Sequence, residues 1–241
     1  MAALNQPRNA AAMVAQDIYA ESETKVHELG TFFDLGERRF RYCQAGGALA
    51  RCKATIQAAT VANHSDLVTA TAAIGATTLT VTLGGTAVTI DQYAGGFVAL
   101  VAGTGLGQIY RIKSHPAQTT TTGTVVLTLY DPLVIATAVA DTKADLVKSK
   151  YASLTNSISQ TTVTVGVPLI AVTDAYFHWE QTRGLCAVLS KITSVQGTLL
   201  GPSTTSGATA SLADFVKGFL GLAVGKTHVD GEYNLVDLRC E

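Results

Sequence analysis

Charge is scarce in this chain: Asp, Glu, Lys and Arg make up 15% of its 241 residues, against roughly 25% in an average soluble domain. The formal net charge is −1, so the strongly basic balance of a general nucleic-acid binder is missing. Cysteine is sparse as well. Cys43, Cys52, Cys186 and Cys240 include no CxxC pair, whereas structural zinc sites take their ligands in close pairs. The four read as reduced, mostly buried thiols. No apolar run approaches the roughly 20 residues that span a bilayer. The opening MAALNQPRNAAAMVAQD lacks a basic segment leading into an apolar stretch, so no signal peptide is expected.

Threonine is abundant, with 33 residues beside 35 Ala and 22 Gly. Apolar residues reach 47% and mean hydropathy is +0.27, which excludes a disordered chain and provides for a sizeable core. Charge is distributed unevenly: residues 1–53 carry thirteen charged side chains, seven basic and six acidic, while residues 54–110 carry only Asp66 and Asp91. That contrast separates an N-terminal segment from a β-rich body. Three regions are expected: an arm over residues 1–28, a β-rich domain over 29–150 and a second β-rich subdomain over 151–241. Within the arm, residues 9–21 could form a short helix on Ala12, Val14, Ala15 and Ile18. Its apolar face is thin, so the arm is expected to order against a neighbour.

Period-two alternation begins at Arg38. It places Arg39, Arg41 and Cys43 on one face of a strand and Phe40, Tyr42 and Gln44 on the other. Residues 77–83 (TTLTVTL) alternate Thr with apolar residues and end in Gly84-Gly85. Thr suits such half-exposed strands, because its branched Cβ packs while its hydroxyl stays wet. Further candidate strands are residues 49–57, 87–90, 97–101, 108–112, 124–130, 161–167, 169–172, 176–181, 186–189 and 233–238. Residues 97–101 and 108–112 read as a hairpin around GTGLG. Gly201-Pro202 and residues 203–207 read as a polar break. Ser211 to Asp214 resembles a helix start, with Leu212, Phe215, Val216 and Phe219 at helical spacing and a strand as the competing reading. Many short strands with turns every 8–12 residues predict a mainly β fold: a small β-barrel or β-sandwich body with at most one or two short helices.

Motifs for catalysis or cofactors fail on spacing. GLAVGKT (residues 221–227) is one residue short of a phosphate-binding loop, and the third glycine of GTGLG (residues 103–107) arrives one residue early for a dinucleotide fingerprint. His27-Glu28 begins an HExxH pattern, but Thr31 stands where the second His is needed. No cofactor, metal or catalytic residue is assigned, and no enzyme is expected. Arg38, Arg39 and Arg41 form the densest basic cluster, flanked by Glu28, Asp34 and Glu37. It reads as a solvated or intersubunit salt-bridging strand, with a phosphate-contacting patch as the alternative. In residues 176–181 a strand puts Tyr176, His178 and Glu180 on one face and Phe177, Trp179 and Gln181 on the other. Phe177 and Trp179 are read as core anchors, with a sugar-stacking platform at Tyr176, His178 and Trp179 as the alternative.

The order of several motifs resembles the structural proteins of tailed-phage and environmental-virus particles. The motifs are LGERRFRYCQAGGAL (residues 35–49), GLGQIYRI (105–112), LTLYDPL (127–133), VGV (165–167), YFHWEQTRG (176–184) and GEYNLVDL (231–238). The family pattern FxLGTRxxxxDGRxFRY is shortened here to Glu37 between LG and RRFRY, which implies a trimmed first hairpin. The resemblance implies a non-enzymatic virion component on the capsid exterior, a decoration or cement protein bound to the major capsid protein. It implies a homotrimer or other closed ring in which residues 1–44 supply contacts, with Arg38, Arg39, Phe40, Arg41 and Tyr42 meeting the shell or a neighbouring subunit. Nucleic acid and membrane are not among the implied partners. A tail, baseplate or head-fibre protein is the alternative within the same kind of virus, and a carbohydrate-binding β module is the alternative outside it.

Overall fold

A computed structural model describes residues 15–139, 141–156, 159, 162–212 and 218–241. In chain order the strands are β1 (Phe32–Leu35), β2 (Arg38–Gln44), β3 (Thr55–Ile56), β4 (Leu67–Val68), β5 (Thr78–Thr82), β6 (Phe97–Ala102), β7 (Ile109–Ser114) and β8 (Thr124–Leu129). Then follow β9 (Lys143–Val147), β10 (Thr155–Asn156), β11 (Val167–Pro168), β12 (Phe177–Leu189), β13 (Leu199–Pro202), β14 (Thr209–Ser211), β15 (Gly221–Ala223) and β16 (Tyr233–Arg239). The fold is mainly β. Among the described residues no helix is long and apolar enough to cross a membrane.

The chain forms two compact units. One joins the described residues up to Ala58 with Lys150–Glu241, and the other is Ala59–Ser149. Residues 29–58 therefore pack with the C-terminal part, whereas the sequence had grouped them with residues up to 150. The reason is strand pairing: β2 lies antiparallel to β12, with Tyr42 opposite Trp179 and Cys43 opposite His178. Pairing partners so far apart in the chain leave no local trace.

The unit Ala59–Ser149 is a six-stranded antiparallel sheet in the order β4-β9-β6-β7-β8-β5. It closes on itself through a Thr69–Val81 bridge and a 2.8 Å bond from the Ala70 N–H to the Thr80 carbonyl. The Thr/apolar alternation of β5 turns Leu79 and Val81 inward and leaves Thr78, Thr80 and Thr82 outside. The inward residues join Leu100, Ile112, Leu127 and Leu146 in one core. The expected hairpin is present as β6 and β7. Strand β9 went unread because its inward residues, Ala144 and Leu146, alternate with Lys143, Asp145 and Val147, a weak contrast.

The other unit is built on a sheet in the order β1-β2-β12-β16-β15-β13-β14, with β11 also on β12. β14 returns to the end of β12 through a Ser190–Thr209 bridge, which curls the sheet around Val188, Leu200, Leu220, Val236 and Leu238. Residues 176–181 and 186–189, read as two strands, are parts of the single thirteen-residue β12. The apparent gap is a bulge between Gln181 and Arg183. Gly184 follows it at φ +82°, and a Cβ there would lie 2.7 Å from the Glu37 carbonyl. That glycine marks where the β1–β2 turn lands.

Other expectations are corrected. Of residues 49–57 only Thr55–Ile56 is a strand; residues 87–90 and 169–172 contribute isolated bridges at Val88 and Val172. Gly201 and Pro202 belong to β13, so the expected polar break is confined to residues 203–207 in the β13–β14 turn. Residues 9–14 of the helix expected at 9–21 lie outside the described residues, and residues 15–21 contain a turn closed by Ala20 N–H on the Asp17 carbonyl. The residues expected to open a helix after Ser211 fall at 213–217, again outside the described residues. The described part of the arm packs on its own chain, with Ile18 against Trp179 and its neighbours.

Candidate functional site

The strand expected to contact a partner is β2. Alternation sends Phe40 and Tyr42 wholly into the core, so neither offers a contact surface, a correction to the expectation for these two. The three arginines stay on the surface but are engaged within the chain. Arg39 grips Asp34 with Nε at 2.7 Å and Nη2 at 3.0 Å, and its Nη1 reaches Glu241 at 3.1 Å. Arg41 donates to the same carboxylate from Nε at 2.6 Å and to the Gly30 carbonyl at 2.8 Å. The Arg39 and Arg41 guanidiniums lie 4.7 and 4.8 Å from the Phe32 ring centre, a cation–π arrangement. Arg38 donates to Gln181 Oε1 at 2.8 Å. A phosphate would have to displace these carboxylates. The salt bridges of Arg39 and Arg41 are made within the chain, where an intersubunit or solvated strand was expected.

Glu241 joins this network electrostatically. Burial pushes its carboxyl upward, but hydrogen bonds from Arg41, Thr182 and Arg39 outweigh that and bring it from the usual 4.5 to about 2. Hydrogen bonding to Asp34, then to Glu241, raises Arg39. A carboxyl depressed in the folded state stabilises at pH values above its unfolded range, and that contribution disappears as pH falls toward 2. Glu241→Gln should therefore cost about 1 kcal/mol near pH 7, a figure reduced for partial exposure and screening. The difference from the parent should vanish between pH 4.5 and 2, measured by urea unfolding across that range. A pH-independent difference would contradict the network.

Beside the network a groove of about 880 Å³ runs along the β1–β2 turn and the ends of β12 and β16, lined by Glu37, Arg183, Gly184, Asp237 and Arg239 among others. Its walls carry both signs of charge, so no net field selects an anion or a cation.

On the other face of β12, Trp179 is fully buried. Its ring meets Phe33 edge-on at 4.7 Å and Tyr42 at 5.0 Å, and its Nε1–H donates to the Gln16 carbonyl at 2.9 Å. The Tyr42 hydroxyl donates to Gln16 Oε1 at 2.8 Å and accepts from the Val26 N–H at 3.1 Å. Phe177 is half-buried and stacks on Tyr42 at 6.0 Å. These contacts place both residues read as core anchors in one aromatic cluster. His178 is fully buried too, so of the three residues in the sugar-stacking alternative only Tyr176 is partly exposed.

His178 and Glu180 point away from that cluster, into a second buried group. Glu180 accepts from Thr55 Oγ1 at 2.6 Å and pairs with His178 Nε2 at 3.1 Å. His178 Nδ1 has no partner among the described residues. Sequence alternation put His178 and Glu180 on one face, but Thr55 arrives from 125 positions away. Cys43 sits opposite His178 on β2; burial first, then the Glu180 charge, raises its thiol. Burial likewise pushes Cys186 and Cys240 up to about 12, which keeps them protonated and unreactive. All four cysteines are free. No group of three or more His, Cys, Asp or Glu among the described residues could hold a metal ion.

The glycine motifs serve packing and turns. Gly221 opens β15 and lies against the Asp237 backbone, and Gly103 and Gly105 take positive φ in the β6–β7 turn.

The feature that sequence reading missed is at one end of the Ala59–Ser149 unit. Its antiparallel strands put the β4–β5, β6–β7 and β8–β9 loops together, opposite the end where the chain enters and leaves. There Ile74 and Leu106 are 69% and 65% exposed, with Val134, Ile135 and Val139 also exposed. The loops brace one another: Gly75 N–H donates to the Leu133 carbonyl at 2.7 Å, Ala72 bridges Thr137, and Thr104 Oγ1 donates to Asp141 at 3.1 Å. Residues 69–77, 103–108 and 130–142 contain Asp131 and Asp141 and no Lys or Arg. The available signal was aliphatic residues inside Gly-, Ala- and Thr-rich loops. Comparison of the chain with protein-family models, with curated proteins and with solved structures found no match.

Proposed function

We propose that this chain is a virion structural protein, a capsid decoration or cement protein that binds the major capsid protein on the shell exterior as a homo-oligomer. The observation that carries this reading is the braced apolar tip at Ile74, Leu106, Val134, Ile135 and Val139. Clustered exposed aliphatics mark protein-binding surfaces. Loops tied to one another lose little freedom on binding, which favours affinity. The absence of basic residues from these loops disfavours an anionic membrane or nucleic acid as the target. Repeated on each copy of a homo-oligomer, a modest contact becomes strong through effective concentration. The motif order from residue 35 to 238 gives the reading its viral setting.

Mass spectrometry of purified particles should find the chain at a constant ratio to the shell protein. Leu106→Asp combined with Val134→Asp should lower that occupancy roughly tenfold or more, the scale of losing a buried anchor, with β circular dichroism unchanged. Absence from particles, or full occupancy by the double variant, would refute the proposal.

A further inference from the structure

We infer that the outer face of β12, β16, β15 and β13 is a self-association surface covered by a second copy of this chain. An antiparallel sheet with one solvated face alternates apolar-in and polar-out, as β5 does with its outward threonines. Strands β12 and β16 break that rule. Cys186, Val188, Val236 and Leu238 face the core, yet their outward neighbours are Leu185, Ala187, Leu189, Tyr233 and Leu235. Tyr233 and Leu235 are 52% and 48% exposed. Register makes these one surface: Ala187 lies opposite Leu235 and Leu189 opposite Tyr233. On the far side Leu222 is opposite Asp237, and Leu199 is opposite Leu222. These residues spread over four strands, with Asp237 set between Leu185 and Leu222, and exceed what scattered surface residues explain.

Charge identifies the occupant. One end of the patch carries Arg183, which has no ion-pair partner among the described residues, and Arg239, which reaches back at 3.0 Å to Asp237 within the patch. The other end carries Lys191–Asp230 and Lys226–Glu232, at 3.4 and 3.6 Å. A rim with both signs at each end is complementary to itself across a two-fold axis, the requirement of an isologous contact. A partner of one charge sign would meet repulsion along half of it. The smallest closed assembly through this face is a dimer, in place of the expected trimer.

This deepens the homo-oligomer of the proposed function and rests on that part of it alone. The full chain, examined by light scattering and mass photometry up to about 100 μM, should show a concentration-dependent dimer. Leu235→Lys should weaken it by roughly tenfold or more, whereas Leu106→Asp at the tip should leave it intact. Hydroxyl-radical footprinting of the unmutated chain gives a second reading that needs no variant: Tyr233 and Leu235 should become protected as concentration rises while Tyr19 does not. A monomer throughout, an unaltered dimer in Leu235→Lys, or unchanged labelling of Tyr233 overturns the inference. Particle occupancy is read separately, so a lost dimer with normal occupancy, or the reverse, shows which proposal failed.

Discussion

Replacing Trp179 by alanine is expected to destabilise the unit built on β2 and β12 by about 3–5 kcal/mol, the range for truncating a large buried aromatic. Three losses coincide at this site. The indole vacates a fully buried volume lined by Phe33 and Tyr42, and the packing there cannot relax completely. Two edge-to-face contacts disappear with it. The Gln16 carbonyl loses its donor, which loosens residues 15–28 from the surface they cover. The Ala59–Ser149 unit has its own core around Leu79, Leu100 and Leu127, so the damage should be confined. Hydrogen exchange read by mass spectrometry in increasing urea should show lost protection in peptides covering β2 and β12. Peptides covering β6 and β7 should keep theirs. A cost below about 1 kcal/mol, or equal loss in both units, would mean that Trp179 does not anchor this core.

The second large effect is expected at the buried His178–Glu180 pair. Replacing His178 by leucine leaves Glu180 inside the unit with only the Thr55 hydroxyl as a side-chain partner. Replacing Glu180 by leucine strands the imidazole, while the Thr55 hydroxyl keeps the Gly166 carbonyl at 3.1 Å. Breaking a buried ionisable pair from one side typically costs about 3–5 kcal/mol. Removing both partners costs much less, because no polar group is then left without a counterpart. The double variant His178→Leu/Glu180→Leu should therefore be clearly more stable than the sum of the single losses predicts. Urea unfolding of the four proteins closes this cycle. Strict additivity would show that the two side chains do not act as a pair.

Much of the candidate site was legible, and its limits follow physical lines. Alternation along residues 38–44 and 176–181 assigned each residue to the correct face, because a strand side chain has only two directions to take. It did not identify which face was wet. Phe40 and Tyr42 are adjacent to three arginines, and a partner-facing role was a reasonable reading. Pairing with β12 placed them against Trp179, under Gln16 and Val26, and no local pattern encodes that. The arginines were recognised as a cluster beside Asp34, but the carboxylate that Arg39 and Arg41 share is Glu241, some 200 positions away. Even the break in β12 was misread as a loop, since a bulge followed by a positive-φ glycine has the composition of a turn.

Composition and periodicity alone determined that this protein is mainly β, that Thr faces the solvent along β5, that its thiols are free, and that Trp179 is an anchor. Those properties depend on single residues and near neighbours, where sterics and burial preference act directly. Tertiary structure decided that residues 59–149 form an inserted, nearly closed barrel, that Thr55 meets Glu180, and that aliphatics from three loops gather at one tip. It also decided that Leu185, Leu235, Leu222 and Leu199 share one face of the sheet. Such groupings depend on which strands pair, and pairing is settled by burial summed over distant segments, which no short window of sequence contains.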